Sequence, residues 1–286
     1  MRLREAILTR EQASMFKCRF IAIVLASTCL AACAPMRTIA PDRQPPMASA
    51  IAEQLVPFSA HPAGVPPAEW EPLIILRDRK PTVYRLVDGE GDDGKRTVLH
   101  AFASQSSSAL MHILSIRPEA QPWMRWEWRL GPTRLTGGDP SERGSPGRIV
   151  LGFDGDKGTL PFTDQILFET GRVLTGHEFP YATLMYVWAE NLPVGTVVHS
   201  RHSNRIRMVV VDSGSQGIGR WRTFARNIAE DFERAFGEKP GKLLGVGVLT
   251  DSQNDDASTE AWYGDISLSE TPPAEAPGPV PVSMQR

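Results

Sequence analysis

Alternation of apolar and polar side chains is the clearest pattern in this chain, and it is typical of β-strands. In the run Met124–Leu130, Met124, Trp126, Trp128 and Leu130 fall on one face, while charged residues occupy the other. Gly, Pro, Asp and Ser residues separate nine such runs, which are rich in β-branched and aromatic residues. The nine predicted strands are Thr82–Val87, Thr97–Ala103, Ser108–Ile116, Met124–Leu130, Arg148–Asp154, Thr183–Ala189, Arg205–Asp212, Lys242–Thr250 and Ala261–Ser269.

One segment shows helical spacing instead. Its apolar residues recur every three or four positions, at Trp221, Phe224, Ile228, Phe232 and Phe236. This spacing predicts an amphipathic α-helix near residues 220–236, which ends at Gly237. Many short strands with a single helix predict a mainly β protein, an antiparallel β-sandwich of the jelly-roll, concanavalin-like kind.

The N-terminal region has the order of parts that is typical of a secretory signal peptide. Lys17 and Arg19 precede an apolar run from Phe20 to Leu30, which is too short to span a bilayer. The run closes on Leu-Ala-Ala-Cys33, which resembles a bacterial lipobox and makes Cys33 the predicted lipidation site. Residues 1–32 are therefore the predicted signal peptide, with Met15 as a second possible start.

The flanks of the predicted domain are rich in Pro and Ala. Residues 33–67 are the predicted tether between the lipid and the domain, and residues 68–270 are the predicted β-sandwich. The Pro-rich tail 271–286 is predicted to be disordered. Ala34 follows the cysteine where an inner-membrane retention signal usually has Asp, so the resemblance implies an outer-membrane lipoprotein that faces the periplasm.

Charge and cysteine content narrow the possible functions. After removal of residues 1–32 the chain has 26 basic and 31 acidic residues, a balance that disfavours nucleic-acid binding. The three cysteines are Cys18, Cys29 and Cys33, so the predicted mature domain has no disulfide, zinc-cysteine site or cysteine nucleophile.

The loop Gly214–Arg220 matches a glycine-rich segment of short-chain dehydrogenases, which bind dinucleotides. In that family the loop follows the first strand of a doubly wound sheet. Here only 67 residues follow Gly219, and they contain no Tyr-x-x-x-Lys pair. We therefore predict a flexible turn between an edge strand and the helix, and no dinucleotide partner.

Candidate ligand-binding residues fall into polar and aromatic groups. Carboxylates and an amide that follow strands suit Ca²⁺ as well as hairpin turns, and we favour turns, so no cofactor is expected. Exposed aromatic residues stack on sugar rings, but large aromatic residues also fill sandwich cores, and we favour core positions for most of them. The candidates are Trp126, Trp128, Arg148, Asp154, Asp156, Trp188, Asp251 and Asn254.

Metal and hydrolase motifs are incomplete. His199 and His202 lie close together, but neither a third ligand nor a metalloprotease Glu is near them. The chain also has no Gly-x-Ser-x-Gly motif, which is the usual signature of an exported esterase.

Several blocks together resemble an exported bacterial family, the domain of unknown function 3047. They include "RIVLGFDGDKGTLPF", "PYATLMYVWAENLPVGTVVHS" and "RIRMVVVDSG", and the similarity runs from Glu69 to Leu268. The family's usual Thr-Asp-Thr-Asp-Asn run reads Thr-Asp-Ser-Gln-Asn here, at residues 250–254, which weakens a metal site. The resemblance implies a jelly-roll-like domain in the cell envelope and brings no reaction.

These observations lead to two functional hypotheses. The first is a lipid-anchored cell-envelope module that binds an envelope polysaccharide or has a structural role, with the membrane as its partner through the lipid. The alternative is a polysaccharide hydrolase or lyase that uses paired carboxylates such as Asp154, Asp156, Asp251 or Asp255. The distance between two such carboxyl groups decides between these hypotheses.

Overall fold

Two β-sheets packed face to face form the domain in a computed structural model that describes residues 54–74, 79–90, 96–132, 140–143, 145–175, 178–252 and 258–274. The strands are β1 (Trp70–Leu73), β2 (Val83–Glu90), β3 (Arg96–Ser104), β4 (Ser107–Ile116), β5 (Trp123–Leu130), β6 (Arg148–Phe153), β7 (Ala182–Ala189), β8 (Val197–His199), β9 (Ile206–Ser213), β10 (Trp221–Asn227), β11 (Leu243–Asp251), β12 (Ser258–Tyr263) and β13 (Ser267–Ser269). The helices are α1 (Pro140–Arg143), α2 (Phe162–Thr175) and α3 (Ile228–Phe236).

The strand order defines a seven-stranded and a six-stranded sheet. The seven-stranded sheet has the order β1-β4-β11-β6-β7-β9-β8, and the six-stranded sheet has the order β10-β5-β12-β3-β2, with β13 also paired to β5. Among the described strands, β7 and β9 pair in parallel and the other neighbours in the sheets are antiparallel. The predicted mainly β sandwich is confirmed, and each of the nine predicted runs contains a strand.

The inward faces of the two sheets meet in an aromatic core. Trp126 of β5 stacks on Tyr186 of β7 at 4.8 Å between ring centroids, which joins the two sheets. Phe224 of β10 stacks on the other side of Trp126 at 5.2 Å. This contact pattern explains the alternation in β5, because the apolar face of that strand is the one that faces the opposite sheet.

The predicted helix is correct only in its second half. Residues 221–227 form strand β10, which pairs with β5, and α3 begins at Ile228. The Asn227 side chain accepts hydrogen bonds from the backbone N–H groups of Ala229 and Glu230, and so caps the helix. The three-residue spacing of Trp221 and Phe224 therefore places them on opposite faces of a strand.

A buried carboxylate holds α3 against both sheets. Asp231 accepts a hydrogen bond from the Tyr186 hydroxyl at 2.9 Å and two from the Arg226 guanidinium of β10. Arg234 contributes a further contact at 2.7 Å from the helix itself. Because Tyr186 and Arg226 come from different sheets, one side chain connects three elements.

The glycine-rich loop carries the chain from one sheet to the other. It joins β9 to β10, and Gly214 and Gly219 adopt positive φ angles of 73° and 79°. The Gly219 N–H donates to the Leu130 carbonyl at 2.8 Å. The loop is a turn, but β9 is an internal strand rather than an edge strand, and a strand rather than a helix follows the loop.

Part of the predicted tether packs on the domain. Phe58 is fully buried, and its ring lies 4.6 Å from that of Trp70. The Ser59 hydroxyl donates to Asp265 at 2.6 Å, on the segment between β12 and β13. Because Phe58 and Ser59 pack on the domain, the folded domain begins before residue 68.

Several expectations lie outside the described residues. These are the signal peptide, the Cys33 lipidation site, the tether up to residue 53 and the tail from residue 275. Within the described part of the chain, no helix combines the length and apolar character needed to cross a membrane.

Candidate functional site

The three tryptophans proposed as ligand contacts lie in the protein interior. Trp126 and Trp128 have no exposed surface, and Trp188 is also buried, with its indole N–H bound to the Gly214 carbonyl at 2.9 Å. A sugar ring stacks only on an aromatic face that solvent can reach. The ligand-binding prediction for these residues is therefore corrected in favour of core packing.

Arg148 and Asp251 meet in a buried ion pair. Arg148 Nη1 lies 3.1 Å from Asp251 Oδ2, and the side chains are 7% and 10% exposed. The two residues belong to the neighbouring strands β6 and β11. Asp251 Oδ1 has no hydrogen-bond partner among the described residues. The sequence placed both residues among the candidates, and the structure shows that they form one unit.

Hydroxyl groups fasten the two sheets together beside this ion pair. Thr250 of β11 and Tyr263 of β12 share a hydrogen bond of 2.7 Å, and Tyr84 of β2 donates to the Ser108 carbonyl of β4 at 2.7 Å. Burial raises the pKa of Tyr84 and of Tyr263 above the usual tyrosine value, so both hydroxyls stay protonated. This arrangement is structural, since these hydroxyls bridge the sheets.

Asp154 and Asp156 are exposed and stabilise a turn. Asp154 Oδ1 accepts from the Gly155 N–H, and Asp156 Oδ1 accepts from the Gly158 N–H, both at 2.9 Å. These bonds are the local Asp contacts that favour turns, in line with the preferred interpretation of this segment.

Asp154 and Asp251 lie at opposite ends of β11. The Asp154 N–H donates to the Lys242 carbonyl at 2.8 Å, just before the strand, whereas Asp251 is its last residue. Nine residues of extended chain span roughly 30 Å, while glycosidase carboxyl groups lie about 5 to 9.5 Å apart. Pairing of Asp154 or Asp156 with Asp251 in catalysis is therefore inconsistent with the strand register.

Metal ligands do not cluster in the described part of the chain. No group of three or more His, Cys, Asp or Glu residues there has the arrangement to hold a metal ion. His199 and His202 are both exposed. Asn254, the remaining candidate for Ca²⁺ or ligand binding, lies outside the described residues, as does Asp255.

A different set of side chains forms the most prominent surface feature. Five residues at matching register positions cross the outer face of the six-stranded sheet, one from each of five neighbouring strands. We call this set the cationic-aromatic row, and in strand order it consists of Arg85, His100, Trp262, Arg129 and Trp221.

The side chains of the row stack on one another. The Arg129 guanidinium lies 4.1 Å from the Trp262 ring centroid and 5.7 Å from that of Trp221. His100 stacks on the other face of Trp262 at 4.8 Å. Cation–π and stacking contacts of this kind each contribute about 0.5 to 1.5 kcal/mol. The side chains of the row are thus ordered, and His100, Trp262, Arg129 and Trp221 stay partly exposed to solvent.

The surroundings of His100 favour its neutral form. Burial is the largest cause that lowers the pKa of His100, and the positive charges of Arg85 and Arg129 lower it further. The Glu260 carboxylate acts in the opposite direction and raises it. Glu260 Oε2 lies 3.7 Å from His100 Nε2 and is 40% exposed. The row therefore combines two permanent cations, a neutral imidazole and two indoles.

A buried ion pair supports the same face of the sheet. Glu127 points outward from β5 but is 2% exposed, and it pairs with Arg96 of β3. Gly264 passes so close that a Cβ there would collide with the Glu127 carboxylate. This contact positions β5 and β12 beside each other beneath Arg129 and Trp262.

Sequence reasoning missed this row for identifiable reasons. The helical spacing assigns Trp221 to the predicted helix, and the predicted run Ala261–Ser269 contains Trp262 next to Tyr263, which faces the core. The signal was the parity of each strand, because Trp262 alternates with the buried residues Ala261 and Tyr263. Parity shows which face a residue takes, but the register between distant strands came only from the structure.

Comparison with known proteins gives a family and weak structural similarity. A family model described as "Protein of unknown function (DUF3047)" matches residues 68–267, which confirms the resemblance. No curated protein matches the chain significantly.

Two solved structures illustrate the structural similarity. The first is SGBP-B from a complex xyloglucan utilization locus in Bacteroides uniformis, with 10% identity, a TM-score of 0.31 and coverage of 68% of this chain and 46% of that chain. The second is a meso-active thermo-stable cellulase derived from a Rhodothermus marinus cellulase, with 9% identity, a TM-score of 0.33 and coverage of 71% and 97%. At these values the similarity assigns no ligand or activity.

Proposed function

We propose that this chain, which belongs to the DUF3047 family, is a lipid-anchored cell-envelope module that binds a polysaccharide on the outer face of its six-stranded sheet. The observation that supports this function is the cationic-aromatic row. It combines indole rings with hydrogen-bonding side chains on one flat surface, which is the chemistry that recognises sugars.

Trp221 is the primary stacking contact in this proposal. It lies on β10, the edge strand of the sheet, so one face of its ring packs toward Arg129 and no strand follows on the other side. Trp262 has a neighbour on both faces, His100 and Arg129, and offers only its edge. One sugar ring of the glycan therefore stacks on Trp221, and the glycan chain continues along the row.

Polar groups along the row supply hydrogen bonds to hydroxyl groups. Arg85 at the far end is exposed, and Glu260 is half exposed beside His100. Five strands at about 4.8 Å spacing span roughly 19 Å, which accommodates several units of an extended glycan. The row thus fits a chain better than a single sugar.

Binding is a better interpretation than hydrolysis for this surface. Of the two acids described here on this face, Glu127 is buried and paired with Arg96, whereas Glu260 is 40% exposed. A glycosidase needs two acids that reach the scissile bond.

Lipid anchoring at Cys33 places the proposed module in the envelope. The basic, apolar and small-residue segments that precede Cys33 support it. Replacement of Cys33 by Ala is expected to block lipid attachment and release the protein from the membrane fraction. Wild-type fractionation of the Cys33→Ala protein would contradict the anchor.

Pull-down of the full chain with insoluble polysaccharides tests the binding function. Peptidoglycan sacculi, cellulose and xylan serve as probes, and we expect retention by at least one of them. Trp221→Ala should reduce retention roughly tenfold, because stacking on an aromatic ring contributes about 1 to 1.5 kcal/mol.

The matched control for this experiment is Ile113→Ala, which changes an exposed apolar residue on the other sheet, 52% exposed. It should leave retention unchanged. Retention by no polysaccharide, or equal loss in both variants, would overturn the proposed binding face.

A further inference from the structure

A second site lies on the other sheet, where the β8–β9 loop meets the first turn of α2. These two segments line an open surface cavity of about 310 Å³. Its lining is rich in hydroxyl and amide groups, contributed by Thr163, Ser200, Ser203 and Asn204, with Asp164 among them. The volume lies at the lower end of the range for small-molecule sites.

Asp164 is a buried acid with incomplete hydrogen bonding. Its side chain belongs to a residue that is 5% exposed, and Oδ2 has no hydrogen-bond partner. Its other oxygen receives only a long contact of 3.5 Å from the Ser203 hydroxyl. A buried carboxylate with incomplete hydrogen bonding is costly, so Asp164 favours a ligand that brings an N–H or O–H group.

Arg207 of β9 lies nearby and has a buried hydrogen-bond donor that lacks an acceptor. Its Nε is buried and has no hydrogen-bond acceptor, while its Nη1 binds the Ile206 carbonyl at 3.1 Å. Burial lowers the pKa of Arg207, and the Asp164 charge acts in the opposite direction. The two side chains interact electrostatically without forming a direct ion pair.

Charge decides which class of ligand fits this cavity. A cationic ligand is disfavoured by Arg207, whose charge interacts with that of Asp164. An anionic ligand meets the unpaired Asp164 oxygen. A neutral sugar avoids both penalties, because each hydroxyl donates to a carboxylate and also accepts from hydroxyl and amide donors.

We propose that this cavity binds a single neutral sugar residue, with the Asp164 carboxylate as the acceptor for one of its hydroxyl groups. Ser200, Ser203 and Asn204 supply the surrounding hydrogen bonds. The site is separate from the cationic-aromatic row, which lies on the six-stranded sheet. A test of this cavity is therefore independent of a test of the proposed polysaccharide surface.

Titration of the isotope-labelled full chain with four related sugars, followed by two-dimensional NMR of the backbone amides, tests this site. Glucose and N-acetylglucosamine are the neutral probes, glucosamine is the cationic probe and glucuronate is the anionic probe. We expect saturable shifts at the amides of residues 163–164 and 200–204 with a neutral sugar, and weaker binding of both charged sugars.

Two variants and two controls make the assignment specific. Asp164→Asn keeps the shape of the side chain and should weaken binding roughly tenfold to a hundredfold, as expected for loss of a charged hydrogen bond. Asn204→Ala changes an exposed rim residue, and should also weaken binding without affecting the fold. Glu169→Gln alters an exposed acid on α2, and Trp221→Ala alters the row. Both should leave the sugar-induced shifts at residues 163–164 and 200–204 unchanged.

Three results would overturn the proposal. The first is the absence of saturable shifts with every sugar, which means that the cavity holds ordered water. The second is preferential binding of glucosamine or glucuronate, which means that the ligand is charged. The third is unchanged affinity in both Asp164→Asn and Asn204→Ala, which moves the binding site elsewhere.

Discussion

The two faces of strand β5 use aromatic residues in different ways. On the inner face, Trp126 and Trp128 are fully buried, and Trp126 stacks on Tyr186 of the opposite sheet and on Phe224 of the neighbouring strand. On the outer face, Arg129 lies between two indoles from neighbouring strands. The same type of side chain therefore serves stability on one face and presents a surface on the other, and burial rather than residue type decides which.

Removal of an inner tryptophan is expected to have the largest effect. Trp126→Ala leaves a large cavity between the sheets and should lower the free energy of unfolding by about 3 to 5 kcal/mol. Trp221→Ala, which removes an indole from the outer row, should cost about 1 kcal/mol. Chemical denaturation of both variants measures the contrast, and equal losses would contradict the division between the two faces.

Neutralisation of the buried acid on the outer face should have an intermediate effect. Glu127→Gln removes the charge that pairs with Arg96 and should cost about 1 to 3 kcal/mol. The matched variant is Glu260→Gln, an acid on the same face that is 40% exposed, with an expected change within about 0.5 kcal/mol. Denaturation midpoints check this, and a larger loss in Glu260→Gln would reverse the assignment.

Acidification should produce the smallest of these effects. Burial lowers the pKa of His100 on the outer face and of His112 in the core, so below about pH 6.5 the unfolded chain binds more protons. The free energy of unfolding should therefore fall between about pH 7.5 and 5.5. His100→Gln should flatten part of this slope.

Asp212 has the opposite effect on the free energy of unfolding, and it acts at lower pH than the two histidines. Burial raises the pKa of Asp212, so that this group stabilises the folded chain as the pH falls further, toward the carboxylate range. Denaturation at several pH values, for the wild type and for His100→Gln, provides the measurement. Parallel slopes in the two proteins would exclude a contribution from His100.

The contrast between the faces also explains what the sequence could predict. Strict alternation in β5 identified its two faces, because that pattern is local to one strand. The row required the register of five strands, and Trp221 and Arg85 are far apart along the chain. Register depends on which strands become neighbours, and a single sequence does not contain that information.

Local patterns failed where two periodicities coincide. Trp221 and Phe224 fit the helix that α3 continues, yet pairing with β5 makes them part of a strand. Arg148 and Asp251 are ligand-binding candidates at strand ends, whereas their ion pair follows from the pairing of β6 with β11. The Asp164 cavity had no counterpart in the sequence, because α2 carried no pattern that stood out.

The Asp231 contacts have a consequence for recognition at the edge of the domain. Edge strands are ordinarily the first part of a sheet to fray, and β10 occupies such an edge. Arg226 near its end is fixed by Asp231, which also grips Tyr186 of the opposite sheet. Trp221 therefore lies on an edge strand that is already fixed. Binding of the proposed glycan there would cost little entropy, because the strand is ordered beforehand.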